Sequence, residues 1–180
     1  CPNYNCPAQI HGRIQHFVQR NAMEIEGLGE SIIKIFLEKG FLKNYADIYD
    51  LSKYQAALKE LERFGEKSVE NILNAIEESK KKPFDKVLFA LGIRHIGERT
   101  AKVLAAHFMT IDNLSKASEE EILSVHEVGP KIAESVFKFF SDKKNIEIIN
   151  KLRAAGLRFE EEKKLLPAGT NKNVQNKIFV

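Results

Sequence analysis

Four short turns that end in glycine recur along the chain, and each could bind a phosphate group. Their final glycines stand 36, 32 and 32 residues apart, and each precedes the apolar pattern of an amphipathic helix. A tight turn leading into a helix leaves backbone N–H groups without partners at the positive end of the helix dipole, where anions bind. A series of such turns therefore indicates a polymer that carries phosphates. The turns are Glu26-Gly27-Leu28-Gly29, Glu62-Arg63-Phe64-Gly65, His95-Ile96-Gly97 and Glu127-Val128-Gly129.

Basic side chains recur at one register of the helices that follow. Lys67, Arg99 and Lys131 each stand two residues after the final glycine of a turn. The helix dipole disfavours a cation in this first helical turn, so the recurrence indicates a bound anion that both the amides and the cation contact. The alternative is three solvated side chains without a partner.

Only the first turn contains two glycines. Arg63, His95 and Glu127 occupy the position of Gly27 in the other three turns, which look like degraded copies of the first. We therefore expect the closest backbone approach to a ligand at the first turn. We also expect that a β-carbon on the final glycine of the first or third turn would both strain the turn and block a phosphate.

Two cysteines near the beginning of the chain indicate a metal. Cys1 and Cys6 have four residues between them, and thiolates are typical zinc ligands. Two thiolates cannot complete a tetrahedral site. His11 and His16 could complete it, but an apolar helical pattern surrounds His16, so we expect that the missing ligands precede Cys1 in a longer protein. The alternative is two unpartnered thiols.

The composition bounds the class of protein. The chain has 180 residues, of which 43% are hydrophobic, and its formal net charge is +3. This is enough for a folded core, and the weak positive charge is compatible with nucleic acid without establishing it. No apolar run approaches the ~20 residues of a membrane span, and a chain with two cysteines suits a reducing cytosol. We expect a monomeric cytoplasmic protein, associated with the nucleoid and not with a membrane.

The elements that position the turns are predicted to be helices throughout. The apolar spacing predicts an all-α fold of four helical hairpins in two pairs, with a break at Lys80-Lys81-Lys82-Pro83. Within the second pair, Ser118 begins a capping-box pattern and Pro130 stands at the first position of a helix. Residues 160–176 are polar and read as a linker, and residues 177–180 resemble the first residues of a strand.

The order of these segments resembles the bacterial NAD-dependent DNA ligases. Cys-x4-Cys-Pro-Ala-Gln resembles the closing half of their four-cysteine zinc module, and the four turns resemble their helix-hairpin-helix domain in sequence and order. The resemblance implies a tandem helix-hairpin-helix fold. It divides the chain into residues 1–9 (second half of the zinc module), 10–159 (helix-hairpin-helix DNA-binding domain), 160–176 (linker) and 177–180 (start of a BRCT domain).

The resemblance also implies a function for the turns. Such ligases use NAD and magnesium to seal nicks, but their Lys-x-Asp-Gly adenylation motif does not occur here, so we expect this chain alone to be catalytically silent. Its implied role is to hold nicked double-stranded DNA across the minor groove without reading sequence. The alternatives are the same domain of another DNA repair protein, or a helical scaffold that binds protein. The candidate DNA-binding residues are Gly27, Leu28, Gly29, Phe64, Gly65, Lys67, Ser68, His95, Ile96, Gly97, Arg99, Val128, Gly129 and Lys131; the candidate zinc ligands are Cys1 and Cys6.

Overall fold

The computed structural model describes residues 6–62 and 64–162, and within these ranges the chain is helical. The candidate ligand Cys1, most of the linker and the expected start of a BRCT domain lie outside the described residues. The elements are α1 (Pro7–Val18), α2 (Glu30–Glu38), a 3-10 helix (Tyr45–Tyr54), α3 (Gln55–Lys59), α4 (Glu66–Ser79), α5 (Phe84–Ala90), α6 (Glu98–Phe108), α7 (Ile111–Lys116), α8 (Glu119–Leu123), α9 (Pro130–Ser141) and α10 (Lys143–Ala155).

The predicted all-α fold is confirmed. The described residues contain no strand, and their one β-bridge joins Thr110 to Glu160. Helices pack as hairpins on either side of each turn: α1 with α2, α3 with α4, α5 with α6, and α8 with α9. Two hairpins precede the predicted break and two follow it. None of the described helices is both long and apolar enough to cross a membrane.

Helix ends follow the local sequence signals. Ser118 and Glu121 form the predicted capping box at the start of α8, and Pro130 is the first residue of α9. Gly156 ends α10 in the left-handed conformation, with φ of 105°. Before the second turn, residues 45–54 form a 3-10 helix, whereas before the fourth turn residues 111–116 form α7.

A single hydrophobic core joins the two pairs of hairpins. Phe17 of α1 is fully buried and stacks on Tyr45, with ring centroids 4.8 Å apart. The Tyr45 hydroxyl donates to the carbonyl of Leu91, and His16 Nε2 hydrogen-bonds the carbonyl of Phe89 at 2.9 Å. The two hydrogen bonds cross from the first pair of hairpins to the second and fix one against the other.

Helix α10 connects both halves from the C-terminal side. Lys151 forms ion pairs with Asp47 and Asp50 of the 3-10 helix, the second at 2.9 Å. Arg153 forms an ion pair at 2.8 Å with Asp112 of α7. Because the 3-10 helix belongs to the first pair and α7 to the second, α10 constrains the angle between the pairs and therefore the relative placement of the four turns.

Candidate nucleic-acid interface

The turns share one backbone geometry wherever the structure describes it. The final glycine of each turn is the N-cap of the next helix and is extended, with φ between −74° and −91°. Two residues earlier, φ is positive at Gly27 (95°), His95 (69°) and Glu127 (71°). The third and fourth turns therefore keep the left-handed conformation of the first, although neither has glycine there. The sequence suggested that these two turns are degraded copies of the first, but their backbone conformation matches that of the first turn.

The apolar residue of each turn belongs to the core. Leu28, Phe64, Ile96 and Val128 are at most 9% exposed. Each stands directly before an N-cap glycine, so its buried side chain holds the turn on the domain surface. These four residues were candidates for DNA contact, but the structure assigns their side chains to packing. Their backbone remains the part that can face a ligand.

The four helices that begin at these turns have no side-chain cap. No side chain accepts a hydrogen bond from the first backbone N–H groups of α2, α4, α6 or α9. Of the other helices, α1, α3 and α5 also lack a side-chain cap, whereas Asn44, Thr110, Ser118 and Asp142 each cap the helix that follows. Unpaired N–H groups at exposed helix starts are donors for an anion. The chain thus leaves donors available at its four glycine turns and satisfies them at several other helix starts.

The N-cap glycines face open space. A β-carbon built on Gly29, Gly65, Gly97 or Gly129 would meet no heavy atom within 4 Å. Together with their negative φ, this shows that the fold does not require glycine there. The expectation that a β-carbon would strain the turn at Gly29 or Gly97 is therefore wrong, since an L-residue adopts this φ without penalty. The space over each glycine leaves room for a ligand to approach the backbone, and the expectation that a β-carbon blocks that approach stays a prediction.

The predicted cations differ in their surroundings. Lys67 and Lys131 are exposed near the starts of α4 and α9 and form no ion pair with any residue that the structure describes. Arg99, on α6, instead forms a forked ion pair with Glu127 of the fourth turn; its Nε donates to Oε2 at 3.1 Å, and Nη2 donates to Oε1. The sequence indicated Arg99 but gave no sign of this partner, which is 28 residues away.

Acidic residues at the first helical position are partly neutralised. Lys59 lies 3.3 Å from Glu66 of α4, and Lys86 lies 3.4 Å from Glu98 of α6. Each lysine belongs to the helix that precedes the turn. These exposed pairs reduce the local negative charge where an anion would approach the second and third turns.

A cleft lies between the first turn and α4, beside the candidate residue Ser68. It has a volume of about 510 Å³, and its lining includes Gly27, Ser68 and Asn71. Ser68 is exposed at the third position of α4 and can donate a hydrogen bond from its hydroxyl. The first and second turns therefore share one concave surface with polar groups along it.

The described part of the zinc region is incomplete. Cys6 is partly buried and precedes α1, which begins at Pro7, so the last residues of the expected zinc segment already belong to that helix. Both ring nitrogens of His16 are occupied, Nε2 by the Phe89 carbonyl and Nδ1 by Gln19. Within residues 6–62 and 64–162, no three metal-ligating side chains lie together. A zinc ion bound by His16 would have to displace one of these two hydrogen bonds, because an imidazole coordinates a metal through a single nitrogen.

Family comparisons agree with this geometry. Residues 20–78 match the model of a SAM-like helix-hairpin-helix tandem, and residues 86–149 match the model of a helix-hairpin-helix motif. Each matched segment contains two of the four turns. The chain therefore has the tandem helix-hairpin-helix fold, as its sequence predicted.

The chain is also similar to curated proteins of known name. The chain is 48% identical to a DNA ligase of Koribacter versatilis over 91% of its own length and 24% of the relative. It is 48% identical to a DNA ligase of Flavobacterium johnsoniae over 100% of its length and 27% of the relative. It is 47% identical to one of Thermoanaerobacter pseudethanolicus over 100% of its length and 26% of the relative. The chain thus spans about a quarter of the length of these relatives, and over nearly all of its own length it is similar to DNA ligases.

Proposed function

We propose that this chain binds double-stranded DNA without sequence preference, through phosphates on either side of the minor groove, as part of a DNA ligase that seals nicks. The observation that carries the proposal is the set of four uncapped helix starts with open space over their N-cap glycines. A single uncapped helix start with an open glycine would be an ordinary connection between two helices. Its repetition on both pairs of hairpins supports contact with a long, regularly charged ligand.

The contacts are electrostatic and made largely by the backbone. Amide groups at the starts of α2, α4, α6 and α9 donate to phosphate oxygens, and Lys67 and Lys131 add charge beside two of them. Hydrogen bonds to phosphate position a protein on the duplex but carry no sequence information. Because the proposed contacts are made to phosphates, binding to unrelated sequences is expected to be equal.

The chemistry of sealing belongs to other parts of the proposed ligase. NAD and magnesium would act there, in replication and repair, and this chain alone would bind DNA without joining it. Cys1 and Cys6 would supply two of the four ligands of a structural zinc, and the other two would be cysteines elsewhere in the whole protein. The proposed protein acts as a monomer at the nucleoid in the cytoplasm.

A competition experiment tests this function. The whole chain is titrated into a fluorescently labelled nicked duplex, and unlabelled duplexes of two unrelated sequences then compete for it, beside a single strand of equal length. We expect equal competition by the two duplexes and weaker competition by the single strand. Absence of binding to any duplex would contradict the proposal and favour the helical scaffold that binds protein.

A further inference from the structure

The ion pair between Arg99 and Glu127 joins the third turn to the fourth. Arg99 is the second residue of α6, and Glu127 occupies the left-handed position of the turn before α9. Two guanidinium nitrogens donate to the two carboxylate oxygens, Nε to Oε2 at 3.1 Å and Nη2 to Oε1. The Arg99 side chain is 83% exposed and that of Glu127 is 35% exposed. The pair is therefore at the surface that bears the two turns.

The carboxylate of Glu127 binds the guanidinium group of Arg99 with the geometry that a phosphate would use. Guanidinium groups bind carboxylates and phosphates with the same forked geometry. An exposed pair of this kind contributes little stability, because water screens it, so a phosphate can replace the carboxylate. Glu127 is thus a competitor for the hydrogen-bonding groups of Arg99 that DNA would use.

The other two cations of the series have no such competitor. Lys67 and Lys131 form no ion pair with a described residue, although they stand at the same register of their helices as Arg99. The first turn has glycine where the fourth has Glu127, and so carries no side chain there. Among the residues that the structure describes, a carboxylate that pairs one turn with the next is therefore found only in the second pair of hairpins.

We propose that Glu127 is an intramolecular competitor of DNA, which holds Arg99 until a phosphate displaces it and thereby weakens DNA binding by the second pair of hairpins. This inference rests on the proposed DNA binding. After displacement, the carboxylate remains close to the phosphate and repels it, which also opposes binding. The first pair of hairpins has no comparable competitor at its left-handed turn position, so the second pair binds DNA more weakly than its cations alone would allow.

Two substitutions isolate the carboxylate. Glu127→Gln removes the charge and keeps the side-chain shape, and Glu127→Gly restores the residue of the first turn at a position whose φ is 71°. Glu119→Gln is the matched control, because it removes one charge from an exposed glutamate at the start of α8, outside the four turns. Arg99→Gln, alone and with Glu127→Gln, measures the coupling between the two residues.

The test is the Kd of each variant for a nicked duplex at one fixed salt concentration, with thermal unfolding measured in parallel. We expect both Glu127 variants to bind about three- to tenfold more tightly than the unsubstituted chain, and Glu119→Gln to change Kd by less than about twofold. The gain from Glu127→Gln should shrink in the Arg99→Gln background. An unchanged or weaker affinity of both Glu127 variants, an equal gain with Glu119→Gln, or a gain that is the same without Arg99 would each overturn the proposal.

The unsubstituted chain separates this inference from the function on which it depends. If that chain binds the nicked duplex and the Glu127 variants bind it no more tightly, only the role of Glu127 is wrong. If that chain does not bind the duplex at all, the proposed function is wrong, and the inference is overturned with it.

Discussion

Gly27 packs directly against Ile72: a β-carbon on Gly27 would lie 2.7 Å from Cγ1 of that isoleucine. The first turn therefore contacts α4 of the second hairpin without an intervening side chain. A β-carbon built on Gly29, two residues later, would meet no heavy atom within 4 Å. The two glycines of this turn have different roles, since one is required by packing and by a φ of 95° and the other keeps the surface open.

Stability measurements separate these two roles. We expect Gly27→Ala to lower the free energy of unfolding by about 2 kcal/mol or more, because it adds a left-handed alanine and a contact that Ile72 must yield to. Gly29→Ala should change it by less than about 1 kcal/mol, because its φ of −74° suits alanine. Urea unfolding at neutral pH measures both. Equal losses for the two variants would show that the open space at Gly29 is not present in solution.

Larger side chains at the open positions should weaken DNA binding without unfolding the chain. A valine at Gly29 or Gly97 would occupy the space through which a phosphate reaches the helix amides. We expect each substitution to raise the Kd for nicked duplex by about tenfold, the equivalent of one lost charge-assisted hydrogen bond. Far-UV circular dichroism should show nearly unchanged helix content. Unaltered affinity in a folded variant would mean that the turn does not bind phosphate.

Single lysine substitutions should change salt dependence in a countable way. Lys67→Ala and Lys131→Ala each remove one cation beside a helix start, so the slope of log K against log salt should decrease in magnitude by roughly 1 for each. The loss should be the same for unrelated duplex sequences. Lys143→Ala, at the start of α10 and outside the four turns, is the control and should leave the slope unchanged. A sequence-dependent loss would indicate contacts with bases.

The pH dependence of stability should reveal the contact of α10 with the 3-10 helix. The hydrogen bond from Lys151 holds the pKa of Asp50 below its ordinary 3.8, against the opposing effect of burial. Burial lowers the pKa of Lys151, but hydrogen bonds to Asp47 and Asp50 outweigh it and raise that pKa above 10.5. Asp50 therefore stabilises the fold above about pH 4 and loses this effect as pH falls through its lowered pKa. Lys151 stabilises it below about pH 10.5 and loses this effect as pH rises through its raised pKa.

Lys151→Met tests this pH window. Because Lys151 and Asp50 are 40% and 31% exposed, we expect a loss of about 1 kcal/mol in the free energy of unfolding near pH 7. The difference between the two proteins should shrink below pH 4 and above pH 10.5. Urea unfolding across this range measures it. A difference that is constant from pH 2 to pH 11 would mean that lost packing, and not charge, is responsible.

Local signals in the sequence were sufficient to predict the hairpins. A glycine before an apolar helical pattern, a capping box at Ser118 and a proline at position 130 act over a few residues, and each is found where it was expected. The 3-10 helix at residues 45–54 was not predicted, because a short apolar pattern does not distinguish it from an α-helix. The positive φ of Glu127 was also not predictable from residue type, and histidine, although enriched at positive φ, adopts it too rarely for the conformation of His95 to be predicted.

Long-range pairs in the site could not be obtained from the sequence. Arg99 and Glu127 are 28 residues apart, and Lys151 and Asp47 are 104 residues apart. Such contacts depend on how complete hairpins pack, which the helical pattern does not specify. The sequence gave one signal that the fourth turn differs electrostatically from the first: Glu127 stands where the first turn has Gly27.

The most direct test of phosphate binding by the turns is a nicked-duplex titration at several salt concentrations with Lys67, Arg99 and Lys131 all changed to alanine. The unsubstituted chain should bind with a log K that decreases linearly with log salt. In the triple variant, we expect weaker binding at every salt concentration and a slope reduced in magnitude by roughly 2 to 3, with thermal unfolding unchanged within a few degrees. An affinity and a slope equal to those of the unsubstituted chain would show that the four turns are structural connections and not phosphate-binding sites.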